Sequence, residues 1–286
     1  MPRLKEGYSP LDIVALVAVW FCISLAGPLV VFSGAEPTAC AFWRLTLSSI
    51  LLLPLVIRSR GRFTALSTLA GVALGIHFVS WMNSIPLIGV ALSTAIVTTY
   101  PLILAGAEWL AHEPPSAKGL LGLVIAVGAL ILANLSAQSL DVEGVLMASA
   151  GAFAAAAYFF IGRLVRRVSV PTVRHALVAN TVAALVAAIF GVVSGTDLFP
   201  LSTRAWVAFV TLATLPMLCG HGLMIYLMKK MRASTVTSVA AAEPIGAGLI
   251  AWAFLGEALT PELLLLLIVV WAGVTLVVRE EVVENG

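Results

Sequence analysis

The chain has 286 residues, of which 61% are hydrophobic and 10% charged, and its net charge is +2. Soluble domains carry about 25% charged residues, so this composition excludes a water-soluble fold, and so small a net charge gives no argument for a nucleic-acid partner. A polytopic helical membrane protein remains, with the lipid bilayer as its solvent.

Apolar runs of about 18 or more residues mark membrane-crossing helices. Ten are predicted, at roughly 10–32, 37–57, 66–86, 89–111, 117–136, 143–165, 172–195, 204–228, 233–255 and 261–279. The first follows Arg3 and Lys5 but is too long for the apolar region of a signal peptide, so it reads as a retained span. It carries Trp20, Ser24 and Gly27 at i, i+4 and i+7, with Pro28 just after. In the second span Arg44 is costly and needs a partner; the helix count puts it in the outer leaflet, where pairing with Glu36 or reaching to the interface is the expectation. His77, Ser80, Trp81 and Ser84 in the third span share one helical face, which lipid would not favour and which therefore looks inward. Tyr100-Pro101 in the fourth span predicts a bend, and Tyr158 in the sixth is a further aromatic cavity candidate.

The eighth span sets Met217, His221, Met224 and Met228 on one face. Thioethers suit adaptable surfaces and can hold copper(I) with His, but packing is the simpler reading and no metal is expected. In the ninth span Glu243 stands beside Pro244 in an apolar run. A carboxylate near the bilayer centre costs roughly 2.5–3.5 kcal/mol on insertion scales, so it must face a cavity, find a partner or hold a proton. Pro244 withdraws a backbone donor and frees carbonyls that neighbours or water must satisfy. Ser238, Ala242 and Gly246 form a ridge of small residues on the same helix, a packing signal. Cys22, Cys40 and Cys219 lie within predicted helices and form neither a disulfide framework nor a metal site.

Placing the N-terminus in the cytoplasm puts every Lys and Arg except Arg44 and Arg204 in inner loops, tails or the helix ends beside them, the arrangement expected from the positive-inside rule. Both termini are then cytoplasmic. The chain also repeats itself. "GVALSTAIVTTYPLILAGAEW" (89–109) aligns with "RASTVTSVAAAEPIGAGLIAW" (232–252), bringing Thr94 onto Thr237, Pro101 onto Pro244 and Trp109 onto Trp252. One residue later in register Glu113 meets Glu257 and His77 meets His221, while Pro37-Thr38 matches Pro171-Thr172 and Ser24 falls opposite Tyr158. Residues 1–138 and 139–286 thus form two five-helix repeats. Because five is odd, the second enters the membrane inverted, a construction usual in secondary transporters.

Two five-helix halves, with Pro101 and Pro244 midway along the fourth helices, Glu113 and Gly256-Glu257 at their ends and Arg44 in the second helix, resemble the drug/metabolite transporter superfamily of the EamA type. The resemblance covers essentially the whole chain and is nearest to the YddG-like bacterial exporters of aromatic and other amino acids. The first half departs from the Gly-Glu pattern with His112-Glu113-Pro114-Pro115, and Val178 stands opposite Arg44. The resemblance implies an exporter of small metabolites, amino acids including aromatic ones, in the bacterial inner membrane, working by alternating access and without a cofactor. No homo-oligomer is indicated.

The expected fold is all-α, ten helices around a central cavity. Its expected substrate-binding residues are Trp20, Ser24, His77, Trp81, Tyr100, Tyr158, His221 and Glu243, with Glu243 and His77 as proton carriers. An exchanger of nucleotide-sugars or phosphorylated metabolites is the alternative within transport, but it calls for several intramembrane basic residues. A membrane enzyme acting on lipid or isoprenoid substrates through carboxylates at helix ends is the alternative from another class. "HEPPS" (112–116) lacks the second His of a helical zinc site, and no Gly-rich phosphate loop is present.

Overall fold

Proline decides where many of the helices begin and where some of them break. The computed structural model describes residues 9–135, 141–168, 170–200, 202–255 and 261–285. Pro10, Pro37 and Pro261 open helices α1 (Pro10–Ser24), α3 (Pro37–Arg58) and α13 (Pro261–Asn285), at the position where a missing N–H costs nothing. Pro28 has no N–H for the Ser24 carbonyl, and the first span accordingly changes from α1 to α2 (Ala26–Ser33) across Leu25. Gly34 closes α2 in a left-handed conformation at φ 62°.

The third span belongs to α4 (Ala65–Val97), which runs on through a non-helical Gly89 at φ 77°. The fourth resumes as α5 (Tyr100–Leu110). Next come α6 (Ala117–Leu135), α7 (Val142–Arg167) and α8 (Thr172–Ser194). The eighth span is α9 (Thr203–Leu212), a π-helical stretch Ala213–His221 and α10 (Gly222–Leu227). The ninth is α11 (Ala233–Ser238), a 3-10 turn Val239–Ala242 and α12 (Glu243–Leu255).

Where a bend was expected in the runs 89–111 and 233–255 the helix is broken, with Pro101 and Pro244 each in the first turn after the break. Among the described residues six helices are long and apolar enough to cross a membrane, from Pro10–Ser33 to Thr203–Leu227. Leu11, Phe21, Ile57, Leu110, Phe153 and Val193 are exposed on the surface, as they can be where the surrounding solvent is hydrocarbon.

Inside, α4 packs against α7 and α8, α3 against α8, and α1 against the π-helical stretch and α12. Helices α6 and α13 pair where Gly122 and Gly273 meet: a Cβ on either would come within 2.6 Å of the other's carbonyl oxygen.

The two ends of the bundle differ in chemistry. At one, Lys230 pairs with Asp12 at 3.1 Å, Arg232 with Glu281 at 2.7 Å, and Arg174 donates to Ser59 Oγ at 3.1 Å while lying over Phe63. The other end is aromatic. The Trp43 indole donates to the Leu198 carbonyl at 2.6 Å and packs on Trp206 and Phe199 at 4.5 and 5.6 Å, and Arg204 lies over Phe32.

Candidate functional site

The two broken helices meet at one cavity. Shifting by 143 positions carries Tyr100-Pro101 onto Glu243-Pro244, and Tyr100 and Glu243 each begin a helix just past the interruption. Both line a small internal cavity together with Ile23, Ala26, Arg44, His77, Trp81, Val97, Thr98 and His221. The space open to the centre of a water molecule is about 20 Å³, room for roughly one water. A larger apolar recess of about 470 Å³ lies between α4, α6 and α7, and among the described residues no charged one lines it.

Each polar wall has a local cause. His77 is turned by its ring Nδ1, which lies 3.0 Å from the Gly151 carbonyl on α7. A carbonyl only accepts, so Nδ1 carries the hydrogen. Trp81, one turn on, stacks nearly parallel to His77 with ring centroids 6.0 Å apart. His221 ends the π-helical stretch, a geometry that often marks functional sites, and sits 6.2 Å from His77 by ring centroid. Glu243 opens α12, where the helix dipole favours negative charge.

Of the eight residues expected from the sequence, His77, Trp81, Tyr100, His221 and Glu243 line the cavity. Trp20, Ser24 and Tyr158 do not. Trp20 donates its indole N–H to the Ala242 carbonyl at 2.8 Å, repairing the backbone next to Glu243. Ser24 is buried, bonds back to the Trp20 carbonyl at 2.7 Å, and packs against Gly246. Tyr158 stands behind His221, with ring centroids 6.2 Å apart.

Arg44 requires a correction. Instead of pairing with Glu36 or reaching for the interface, it is only 1% exposed, its guanidinium lies 4.1 Å from the Phe78 ring centre, and it borders the cavity. Glu243 borders the same cavity. The costly intramembrane charge was itself the clue. The carboxyl group that shares its cavity, Glu243, lies 199 positions away in sequence, across the repeat, where spacing along a helix carries no information. Thr98 was also missed; its hydroxyl returns to the Thr94 carbonyl at 2.7 Å and patches the first break.

Toward the basic end the site is closed by contacts between the halves. Glu108 on α5 accepts from the Ala233 N–H at 2.8 Å and from the Ser234 N–H at 3.3 Å and hydroxyl, capping α11 from another helix. Arg163 reaches the Met231 carbonyl at 2.5 Å and Glu113 at 3.3 Å, and Arg167 also pairs with Glu113. Burial tends to raise the Glu113 carboxyl, but Arg167 and Arg163 outweigh it and hold the group below the usual glutamate value. Glu257, the expected counterpart of Glu113, lies outside the described residues.

A family model described as the EamA-like transporter family matches residues 10–135 and 142–279, once in each half. A solved crystal structure of a protein resembles this one with a TM-score of 0.76, covering 95% of this chain and 97% of that chain at 18% identity; the likeness is one of fold. No match was found among curated proteins.

Proposed function

This chain belongs to the EamA-like transporter family of the drug/metabolite transporter superfamily, and from that premise we propose that it exports amino acids, aromatic ones included, from the cytoplasm. The observation carrying this reading is the convergence of both broken helices on one polar cavity, with Tyr100 from one half and Glu243 from the other. A site shared by both halves can be exposed to either side by rocking one half against the other. Irregular backbone is tolerated in a membrane where it lines such a cavity.

The cavity holds about one water and no amino acid. In this reading it is an occluded, unloaded state, and the halves separate to admit substrate. Trp81 and Tyr100 supply rings against which an aromatic substrate stacks. Glu243 neutralises the substrate's ammonium group, and His77 and His221 supply hydrogen bonds. Resemblance to the YddG-like exporters supplies the substrate class and direction. The concentration of Arg and Lys at one end supports placing that end, with both termini, in the cytoplasm of a bacterium whose inner membrane holds the protein.

The test uses purified protein in liposomes loaded with each of the twenty amino acids. Efflux above that of protein-free liposomes, strongest for aromatic substrates, is the expected result. Repeating it across imposed pH gradients, with Glu243→Gln beside the native protein, tests proton exchange through Glu243 and His77. Coupled transport loses its dependence on the gradient in the variant. No efflux of any amino acid would overturn the reading.

A further inference from the structure

The closing of the cavity leaves Arg44 in an unusual position. Its guanidinium carbon lies over the fully buried Phe78 ring, 4.1 Å from the ring centre. A ring offers the guanidinium N–H groups no conventional acceptor, so they must find acceptors elsewhere. Yet Nε and Nη1 are buried without a hydrogen-bond partner, and among the described residues no carboxylate lies within ion-pair distance of Arg44. Glu243 presents a carboxyl group on the same cavity and is also only 8% exposed. The two groups thus share a low-dielectric space without touching. Two more polar atoms in the cavity wall, Trp81 Nε1 and His221 Nδ1, are buried without partners.

We propose that Arg44 is the carboxylate anchor of a two-charge site, in which a zwitterion inserts between Arg44 and Glu243 and satisfies both. The planar fork of Arg44 accepts a carboxylate through two parallel hydrogen bonds. The Trp81 indole, a donor only, adds a third. Glu243 meets the ammonium group, which in an α-amino acid is joined to the carboxylate through a single carbon. Phe78 is the positioning residue, holding the guanidinium plane.

The pair also sets specificity. A monocarboxylate leaves Glu243 buried without its cation, an amine leaves Arg44 without its anion, and a phosphate brings a second negative charge toward Glu243. Each leaves a buried charge uncompensated, the costly case. This inference rests on the transport reading above and names the chemistry of its site.

The experiment is calorimetric binding to the full-length protein in detergent micelles at pH 7. One set of probes is L-phenylalanine, phenethylamine and 3-phenylpropionate; the other is L-alanine, ethylamine and propionate. At least one zwitterion is expected to bind roughly 30-fold or more tightly than both of its single-charge analogues, a comparison that needs no variant to fold. Arg44→Lys, which keeps the charge but loses the fork, is expected to weaken the zwitterion about tenfold and leave the matching amine unchanged.

An amine binding as tightly as its amino acid overturns the proposal, as does Arg44→Lys weakening both alike or the absence of binding by either zwitterion. If efflux from liposomes shows amino-acid transport while binding shows no preference for the zwitterion, the two-charge site falls and the transport reading stands.

Discussion

The first half's fourth span and its counterpart in the second half break at matching positions and are mended differently. In the first, Thr98 supplies the repair from its own turn: its hydroxyl bonds the carbonyls of Thr94 and Ala95 at 2.7 and 3.2 Å. In the second, the run Val239–Ala242 has no polar side chain, and the Ala242 carbonyl takes the Trp20 indole from α1. A threonine closes a break locally; an alanine run must borrow a donor from another helix. Among the described residues a side-chain hydrogen bond ties the second break to α1, and none ties the first. The residues that follow differ too, a phenol at Tyr100 and a carboxylate at Glu243.

The contrast is broken most strongly at those two side chains. Glu243→Gln is expected to lower amino-acid efflux from liposomes by about 30-fold or more, because it removes one member of a buried charge arrangement. Tyr100→Phe is expected to change it by less than about fivefold. Equal losses in the two variants would erase the distinction.

Packing beside the breaks offers the next comparison. A Cβ at Gly246 on α12 would strike Ser24, whereas one at Gly106 on α5 meets nothing within 4 Å. Gly246→Ala is expected to cost about 1–3 kcal/mol by overpacking, with partial recovery in the Ser24→Ala double variant. Gly106→Ala is expected to be neutral or stabilising by about 0.5–1 kcal/mol, since alanine suits a helix better than glycine. Unfolding in detergent reads all three.

Removing the borrowed donor is a smaller change. Trp20→Phe orphans the Ala242 carbonyl, at an expected cost of about 1–2 kcal/mol. Amide exchange should quicken around residues 239–246. Thr98→Val is expected to cost about half as much, because the Thr98 backbone N–H still bonds the Thr94 carbonyl at 2.9 Å. Faster exchange around 98–102 than around 239–246, each in its own variant, would reverse the assignment of local and borrowed repair.

The smallest effect lies just beyond the first broken helix. The Glu113 carboxyl is held below its ordinary value of 4.5 in the folded protein. Its contribution is therefore present above that value and lost as pH falls through the lower folded-state one. Since Glu113 and Arg167 are partly exposed, that contribution is about 0.5 kcal/mol. Glu113→Gln should melt slightly below the native protein at pH 7, and the two curves should converge as the pH falls through the lowered folded-state value.

Several of these features can be read along the chain. Pro101 and Pro244 announce their breaks because a missing N–H acts on the residues next to it. His77 and Trp81 announce an inward face because helical spacing is local geometry. Trp20 was placed near the site for its polar stripe, but the stripe could not reveal that its indole serves a carbonyl 222 positions later. Glu108 sits at the end of its own helix, yet the helix it caps is α11.

By itself the sequence determined that this protein lives in lipid, that it is helical and built twice over, and that its helices give way near Pro101 and Pro244. Composition, periodicity and proline chemistry act over a few residues and need no partner. Tertiary structure alone decided that Arg44 leaves the interface for the cavity, that Glu243 faces it across a void, and that Trp20 and Tyr158 stand behind the wall. Those outcomes depend on which helices come together, and a buried charge signals that it needs a partner without saying where the partner is.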